Sequence, residues 1–555
     1  MGPGFLRGDA DLRGFSVAHG TSKWFFPLFY PEDNYHDPGA ALAWLDDICG
    51  NDHIDKVFHN AMYDLEALDS VKINVHGGLH DTMVMNVLID DEARSSSLDA
   101  CAKHWLGETK DEALLIEAAA AFGIDPKAEM WKLPARYVGP YGEADADLPL
   151  RLYDLMSDAI DEFDMNRLLR LEEDVIRLTW EMRKRGVRVD VERAEELNVR
   201  MKQDVLNHLD NIMKQVGWAV DPWSGKSLER LCKQERIKFP HTAKGNPSFT
   251  NDWLAAQQHP VLQQLAECRR VAKMRRDFVE GQILRYEING RVHGQFHSTR
   301  RDEGGTRSGR FSSSNPNLQQ VPGRDPIYGP LIRGLYIPDE GAEWGKFDYS
   351  SQEPRITLHF ANINNIQGAA EFVERYRADP RFCQHQYAAD ILGQPRPKTK
   401  GLNLGITYGM GIEKMAGELD TDTNEAWALK KEYNKAMPFV QKVADFFTSE
   451  CERNGYAATV MNRRSTLPRD LAYKALNRAV QGTGADLMKA AMVAVWKELD
   501  TVPLLTVHDE TDYNIYDAEE HTWAIAEVME NALPMTVPQV VDPELGPNWG
   551  DLTKL

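Results

Sequence analysis

Residues 344–360, WGKFDYSSQEPRITLHF, carry the clearest fold signal in the chain. A short apolar run ends at Asp348, and a helical pattern begins within three or four residues. Pro354 suits that helix only in its first turn, where no backbone N–H is needed. The stretch therefore predicts a strand, a tight turn and a helix, with a carboxylate fixed at the strand end. Such an aspartate is a candidate metal ligand, and a helix N-cap is the alternative.

Residues 503–516, PLLTVHDETDYNIY, form a second block with a similar arrangement. An apolar run meets His508 and Asp509, and a second extended run follows, which predicts a hairpin with Asp509 at its tip. If Asp348 and Asp509 lie on neighbouring strand ends, they could hold two Mg²⁺ ions about 3.5–4 Å apart for in-line phosphoryl transfer. Taken alone, this block would favour an exposed hairpin turn without a metal role.

Residues 396–409, RPKTKGLNLGITYG, form the third block. Four side chains recur every fourth residue and would share one helix face: Arg396, Lys400, Leu404 and Tyr408. Two cations, an apolar group and an aromatic ring would contact a triphosphate, a sugar and a base in that order. His385, upstream, could add a third phosphate contact. The alternative is a solvated basic helix start with Tyr408 in the core.

Composition sets broad limits on the class of protein. The chain has 555 residues, enough for three or four domains, and 42% of them are hydrophobic, as in globular proteins. No run of about 18 apolar residues occurs, so no membrane span is expected, and the first residues lack the apolar segment of a secretory signal. The six cysteines are scattered without a C-x-x-C pair. This pattern predicts reduced thiols and a cytoplasmic location, and neither a zinc site nor a disulfide framework.

The charge distribution is uneven. The net charge is −21, which argues against a nucleic-acid partner. Residues 31–130, however, hold 21 Asp and Glu against 6 Lys and Arg, whereas residues 261–310 hold 11 Lys and Arg against 6 Asp and Glu. An acidic N-terminal module joined to a locally basic region leaves DNA binding possible.

Together the three blocks resemble the family A (polymerase I type) DNA polymerases. The first matches the motif D-Y-S-x-x-E-x-R through Asp348, Glu353 and Arg355. The second matches V-H-D-E at residues 507–510, and the third matches the spaced R, K and Y-G motif. The stretches SGRFSSSNPNLQQVP (308–322) and NRAVQGTGADLMKAAM (477–492) are further matches in the same order.

The resemblance implies a role for each matching residue. The catalytic residues would be Asp348, Asp509 and Glu510. Two Mg²⁺ ions would be held by Asp348, the Tyr349 carbonyl and Asp509. The incoming dNTP would contact Arg396, Lys400, Leu404, Tyr408, His385 and Glu353, of which Glu353 would exclude a 2′-hydroxyl. Primer–template DNA would contact Arg310, Gln481, Asn477, His508, Arg269 and Lys273, with Arg310 and Gln481 in the minor groove and the basic helix 269–276 on phosphates.

The N-terminal module resembles a DEDD-type 3′–5′ exonuclease. Asp64 matches the second motif of that fold, and Tyr141 with Asp145 matches the third, Y-x-x-x-D. No D-x-E pair occurs where the first motif is expected, and Asp9 and Asp11 are a weak substitute. We therefore expect proofreading by this chain to be weak or absent, with the module mainly a scaffold or the start of the chain assigned too late.

The resemblance implies an α/β and α+β multidomain fold, in which an RNase H-like exonuclease domain precedes a right-hand polymerase. The predicted domains are an exonuclease-like domain at 1–165, palm entry and thumb at 166–300, palm with the first block at 301–375, fingers at 376–484, and palm with the second block at 485–555. The short polymerase is similar to those of bacteriophages, which would place it in the host cytoplasm.

Two other classes of protein compete with this interpretation. A single-subunit RNA polymerase shares the metal aspartates, a lysine helix and a Tyr-Gly pair, but Glu353, the H-D-E form of the second block and the exonuclease-like module argue against it. A catalytically silent DNA-binding scaffold would not need Asp348, Asp509, Lys400 and Arg396 together. We therefore expect a template-directed DNA polymerase that binds primer–template DNA and dNTPs.

Overall fold

The computed structural model describes residues 4–299 and 306–555 as an N-terminal α/β module and a larger region built around a five-stranded sheet. Within those ranges no helix combines the length and the apolar character that crossing a membrane requires.

The N-terminal module places a long helix against short strands. Its elements are α1 (Gly4–Arg7), β1 (Gly14–His19), β2 (Ser22–Pro27), α2 (Pro38–Cys49), β3 (Lys56–Phe58), α3 (Ala61–Ser70), β4 (Leu79–Asp81), α4 (Thr82–Ile89), α5 (Leu98–Cys101), α6 (Ala113–Phe122) and α7 (Ala135–Glu162). Strands β1 and β2 form an antiparallel hairpin, β3 and β4 pair in parallel, and α7 packs against β1, β2 and β3.

The second segment is mainly helical. Its elements are α8 (Asn166–Arg185), β5 (Val187–Arg188), α9 (Val191–Val216), α10 (Gly225–Gln234), α11 (Asn251–Ala255), α12 (Pro260–Met274), a π-helical stretch (Arg275–Leu284), β6 (Glu287–Ile288), β7 (Arg291–Val292) and β8 (Gln295–His297). Helix α8 ends before Gly186, whose φ is +65° and where a Cβ would lie 2.7 Å from His293 Nδ1. Only glycine fits that junction without strain.

The third segment supplies the remaining elements. They are β9 (Ser312–Ser314), α13 (Tyr328–Arg333), β10 (Glu343–Tyr349), α14 (Gln352–Ile363), α15 (Ala369–Ala378), α16 (Gln384–Leu392), α17 (Arg396–Thr407), α18 (Ile412–Leu419), α19 (Thr423–Ala436), α20 (Pro438–Asn454), β11 (Tyr456–Ala458), β12 (Arg464–Thr466), α21 (Ala475–Leu499), β13 (Leu505–Val507), β14 (Glu510–Ile515), α22 (Glu520–Asn531), β15 (Val541–Asn548) and β16 (Asp551–Lys554).

The central sheet has the strand order β13-β14-β10-β15-β16, and every neighbouring pair is antiparallel. Strand β10 lies in the middle, so its end is held from both sides. Phe347 and Tyr349 are buried, and the Tyr349 hydroxyl donates to the Met529 carbonyl of α22 at 2.6 Å. Asp348 lies between them in sequence and therefore points to the opposite face of the sheet.

The predicted domain boundaries relate to these elements in different ways. The boundary at 165/166 falls between α7 and α8, and the boundary at 300/301 lies outside the described residues. The boundaries at 375/376 and 484/485 fall inside α15 and α21. The division into palm, fingers and thumb stays a prediction.

A buried group of four charges joins three parts of the chain. Glu172 of α8 and Asp486 and Lys489 of α21 are fully buried, and Arg463, between β11 and β12, is nearly so. Glu172 pairs with both Arg463 and Lys489, at 2.5 Å for Lys489, and Asp486 pairs with Arg463 at 2.7 Å. Two acids thus balance two bases, which is the condition under which buried charges are tolerated.

We expect Glu172→Ala to lower the free energy of unfolding by about 3–5 kcal/mol, because it leaves buried cations without their partner. The matched control is Glu181→Ala on the same helix, which removes only a half-exposed pair with Lys184 and should cost less than about 1 kcal/mol. Denaturant unfolding of both variants measures the difference. If both variants lose the same small amount of unfolding free energy, the buried charges do not stabilise the fold as described.

Candidate active site

The end of β10 adopts the strand–turn–helix geometry that the sequence predicts. Ser351 has φ +53°, and α14 begins at Gln352, which puts Pro354 in the first turn. Arg355 is almost fully buried and donates to the carbonyls of Ser350 at 2.9 Å, Pro538 at 2.5 Å and Pro380 at 2.6 Å. These three hydrogen bonds fix the turn that follows Asp348. Arg355 therefore has a structural role in the site.

Asp348 and Asp509 lie close together at the C-terminal end of β10, the central strand of the sheet. Strands β13 and β14 form the predicted hairpin, His508 and Asp509 make its turn, and His508 has φ +61°. The Tyr349 N–H donates to the Asp509 carbonyl at 3.2 Å, which joins the turn to the end of β10. Burial, and then the charge of Asp509, raise the pKa of Asp348 to about 7.

The donor set at this edge suits a divalent cation. The half-buried Asp348 carboxylate is repelled by the charge of the exposed Asp509, and the Lys346 and Lys400 charges only partly lower the pKa of Asp348. Carboxylate and carbonyl oxygens are the ligands that Mg²⁺ prefers. The residues present therefore fit a metal ion at this place.

Glu510, predicted to be catalytic, makes contacts within the sheet. Its Oε1 accepts a hydrogen bond from Trp549 Nε1 at 3.0 Å, and its Oε2 lies 4.0 Å from Lys346 Nζ. Lys346 also pairs with Glu544 at 3.1 Å. The Glu510 carboxylate is thus engaged by the sheet itself, and it contributes negative charge beside Asp348.

Helix α17 presents the predicted stripe. Arg396 and Lys400 are exposed and Leu404 and Tyr408 are half-buried. The buried residues of the helix lie on another face: Thr399, Leu402, Asn403, Ile406 and Thr407. Arg396 is the first residue of the helix, and its Nε lies 3.3 Å from Cys383 Sγ. Lys400 has no hydrogen bond or ion pair with the described residues, so its ammonium is available to an anion.

His385 is more buried than the sequence suggests, with 2% of its surface exposed. Its Nδ1 lies 2.9 Å from Asn403 Nδ2, and Asn403 Oδ1 accepts the Tyr433 hydroxyl. Burial, with the Lys400 and Arg396 charges, lowers the pKa of His385 to about 4, so the ring is neutral. Because Nδ1 accepts the Asn403 amide proton, the ring proton lies on Nε2. No local sequence pattern links Asn403 or Tyr433 to His385, because they lie 18 and 48 positions further along the chain.

Glu353 brings three of the predicted motifs together. In the first turn of α14, its Oε2 accepts the Tyr408 hydroxyl at 2.6 Å, and its Oε1 accepts Arg310 Nη2 at 3.4 Å. Gln481 and Asn477 follow on α21, half-buried and without side-chain hydrogen bonds to the described residues. The Glu353 carboxylate therefore links α14 to the end of α17 and to the stretch 308–322.

The basic helix 269–276 is mostly engaged within its own segment. Arg269 donates to the carbonyls of Pro222 and Phe249, both at 2.7 Å. The neighbouring arginines pair with nearby acidic or amide groups: Arg270 with Glu267 and Asp325, Arg275 with Asn198 and Glu280, and Arg276 with Asp277. Lys273 is exposed and has no such partner among the described residues. Arg269 thus joins α12 to the loops beside α10 and α11, which local sequence does not reveal.

The exonuclease-like residues also lie together. Asp64 on α3 has its pKa raised to about 7 by burial and by the charges of Asp81 and Asp145. Tyr141 and Asp145 lie one turn apart on α7. The Lys110 ammonium pairs with Asp145 and sits 4.0 Å above the Tyr141 ring. Lys110, which the sequence analysis missed, therefore places a protein cation on the carboxylate expected to bind a metal.

Asp9 and Asp11 do not join this group as metal ligands. Asp9 pairs with Arg7 at 2.6 Å and Asp11 with Arg13 at 3.4 Å, and both carboxylates are largely exposed. Asp81 has a structural role, because it accepts the backbone N–H groups of Asn60, Ala61 and Met83 at 2.9–3.0 Å.

Comparison with known families agrees with this geometry. Residues 191–551 match the family model described as DNA polymerase family A, and residues 11–161 match the model described as 3′–5′ exonuclease. The first match covers more than half of the chain, and it excludes the RNA polymerase alternative.

Similar proteins and a similar structure point the same way. The DNA-directed DNA polymerase of Pseudomonas phage M6 is 32% identical over 89% of this chain and 83% of its own length. The DNA polymerase DpoZ of Salmonella phage PMBT28 is 28% identical over 93% of this chain and 91% of its own length. The POL domain of Pol1 from M. smegmatis, in complex with DNA primer-template and dNTP, is 25% identical and superimposes with a TM-score of 0.78 over 98% of this chain and 94% of that chain. The chain therefore belongs to DNA polymerase family A, and it is a DNA-directed DNA polymerase.

Proposed function

We propose that this polymerase extends a primer 3′ end with dNTPs at the edge where Asp348 and Asp509 meet. The observation that carries the proposal is the junction of β10 with the β13–β14 turn, closed by the Tyr349 N–H. Family A DNA polymerases use divalent metal ions, and here Asp348, Asp509 and the Tyr349 carbonyl would hold two Mg²⁺. Those ions, when bound, stabilise charge on the attacking and leaving oxygens.

The dNTP would lie along the exposed stripe of α17. Arg396 and Lys400 carry no carboxylate partner among the described residues, so their charges are available to the triphosphate. The neutral His385 would donate from Nε2 to a phosphate oxygen, with Asn403 fixing the ring. Tyr408 would pack beside the templating position, while Glu353 would fill the space of a 2′-hydroxyl.

The DNA would lie across α21 and the sheet edge. Arg310 and Gln481 would donate to minor-groove acceptors that every base pair presents, Asn477 would support them, and His508 would lie near the primer end. In the basic helix, assigned to the thumb, Lys273 has no hydrogen-bond or ion-pair partner among the described residues and could reach a phosphate directly. Arg269 would first have to break its hydrogen bonds to two carbonyls. Action on DNA in the cytoplasm, of the host if the gene is phage-borne, is consistent with the phage relatives.

Proofreading is proposed to be weak. Lys110 pairs with Asp145, and Asp9 and Asp11 are paired elsewhere, so of the expected ligands only Asp64 and Asp145 lie at the exonuclease-like site among the described residues. Asp81 is also close to Asp64, but its carboxylate accepts three backbone N–H groups. The D-x-E carboxylates, which the resemblance implies as the remaining metal ligands, have no counterpart at this site among the described residues.

Asp348→Ala and Asp509→Ala are each expected to abolish nucleotide addition while leaving duplex affinity nearly unchanged. The reason is that charge stabilisation is lost at the reacting oxygens, whereas the DNA contacts lie elsewhere. Primer extension and fluorescence anisotropy on a labelled duplex measure the two properties. Extension above roughly a few per cent of the parent rate would contradict the metal assignment.

Glu353→Ala is expected to raise ribonucleotide incorporation, because it opens space beside the sugar. Glu353→Gln is the matched control, since it keeps the volume of the side chain and should keep the discrimination. The ratio of rNTP to dNTP kcat/KM measures the effect. An unchanged ratio in the alanine variant would move the steric role to another residue.

Leu404→Tyr is expected to relax discrimination against dideoxynucleotides. Leucine has no polar atom, whereas a tyrosine hydroxyl one turn after Lys400 could replace the missing 3′-hydroxyl in the polar triphosphate site. Leu404→Phe supplies the ring without the hydroxyl and should not relax it. Single-nucleotide incorporation gives the dideoxy-to-deoxy ratio for all three proteins. If every rate falls alike, Leu404 only fills apolar space.

Removal of a mismatched 3′ end by the parent chain is expected to be slow compared with extension, and Asp64→Ala should change it little. Excision of a labelled mismatched primer in the absence of dNTPs measures the rate. Rapid excision that disappears in Asp64→Ala would show that the site is complete and that Lys110 gives way to metal.

A further inference from the structure

The hairpin formed by β11, β12 and their turn, residues 456–466, is held by the N-terminal module. Asp91 follows α4 in that module and is buried. Both of its carboxylate oxygens accept the Thr466 N–H, each at 3.1 Å. Thr466 itself is exposed and the contact is part-buried, but a hydrogen bond to a charged acceptor is stronger than a neutral one, so this contact holds the end of β12.

The same hairpin is attached to the end of α7. Asn462 Nδ2 donates to the Phe163 carbonyl at 2.6 Å, and the Arg464 guanidinium lies 4.2 Å above the Phe163 ring. Residues of the N-terminal module therefore hold the hairpin at its turn and at both ends of β12.

From the hairpin the contacts lead to the nucleotide side of the site. Arg463 is buried against Asp486 of α21. Gly309 has φ +78°, and a Cβ there would lie 2.6 Å from Arg463 Nε, so the backbone rests directly on this side chain. The next residue is Arg310, whose Nη2 reaches Glu353 Oε1 at 3.4 Å.

A second contact reaches the same loop directly. Glu92, next to Asp91, pairs with Arg307 at 3.5 Å. Both side chains are close to half exposed, so this ion pair alone contributes little. Together with the Asp91 contact, it shows that residues 91–92 touch both the hairpin and the loop that carries Arg310.

We propose that Asp91 is a positioning residue for nucleotide addition, and that the exonuclease-like module supports the polymerase site whether or not it hydrolyses DNA. Asp91 fixes the 456–466 hairpin, the hairpin places Arg463, and Arg463 supports the backbone that presents Arg310 to Glu353 and to the primer terminus. The proposal rests on the role proposed above for Arg310. It gives the module a function that does not need its metal ligands.

The test is a double-mutant cycle in the full chain. Asp91→Ala is expected to lower kcat/KM for correct dNTP addition about tenfold, because it removes both acceptors of the Thr466 N–H. Asp91→Asn keeps one acceptor oxygen and should recover most of the loss. Asp47→Ala is the matched control: it removes an exposed carboxylate of the same module that has no partner among the described residues, and it should behave as the parent.

The cycle separates positioning from general destabilisation. If Asp91 acts through Arg310, the Asp91→Ala/Arg310→Ala double variant is no slower than Arg310→Ala alone. The proposal would be overturned if the two substitutions lowered kcat/KM by independent factors that multiply in the double variant. It would also be overturned if Asp91→Ala kept the kcat/KM of the parent. If Arg310→Ala has no effect but Asp91→Ala does, the role of Arg310 and this route of coupling both fail.

Amide hydrogen exchange gives a readout that does not depend on activity. In Asp91→Ala, protection is expected to fall in residues 456–466 and 306–312 and to stay at the parent level in the five-stranded sheet. A uniform loss of protection through the chain would indicate general destabilisation and would count against positioning.

Discussion

The antiparallel register between β10 and β14 places Asp348 opposite Glu510 and beside the turn that carries Asp509. Side chains alternate between the two faces of a strand, so a shift of one residue would bury Asp348 and expose Phe347. The register is held by the apolar face, where Phe347 and Tyr349 are buried. The position of the acidic site is thus fixed by hydrophobic packing on the other side of the sheet.

Around that edge, the other parts of the site are joined by few but specific polar contacts. The Glu353 carboxylate accepts hydrogen bonds from Tyr408 at the end of α17 and from Arg310 in the 308–322 stretch. Behind them, the buried pairs of Glu172 and Arg463 join α8, the 456–466 hairpin and α21. Asp91 accepts the Thr466 N–H of the same hairpin, so the N-terminal module contacts the polymerase region at this place.

The sequence predicted the elements whose signals are local. The strand end at Asp348, the turn at Asp509 and the shared helix face of α17 follow from apolar periodicity, a proline and spacing by four, and the structure has these elements at those places. Long-range partners could not be predicted in this way. Nothing near Arg269 or Lys110 in sequence indicates that one binds the carbonyls of Pro222 and Phe249 and the other pairs with Asp145.

The central claim is that Asp348 and Asp509 hold the metal ions of nucleotide addition. The most direct measurement is anomalous diffraction from crystals of this chain with Mn²⁺, a dideoxy-terminated primer–template and a matching dNTP. The account predicts anomalous peaks within metal–oxygen bonding distance, about 2.1 Å, of both carboxylates. Peaks that touch neither Asp348 nor Asp509, with the nucleotide bound along α17, would contradict it.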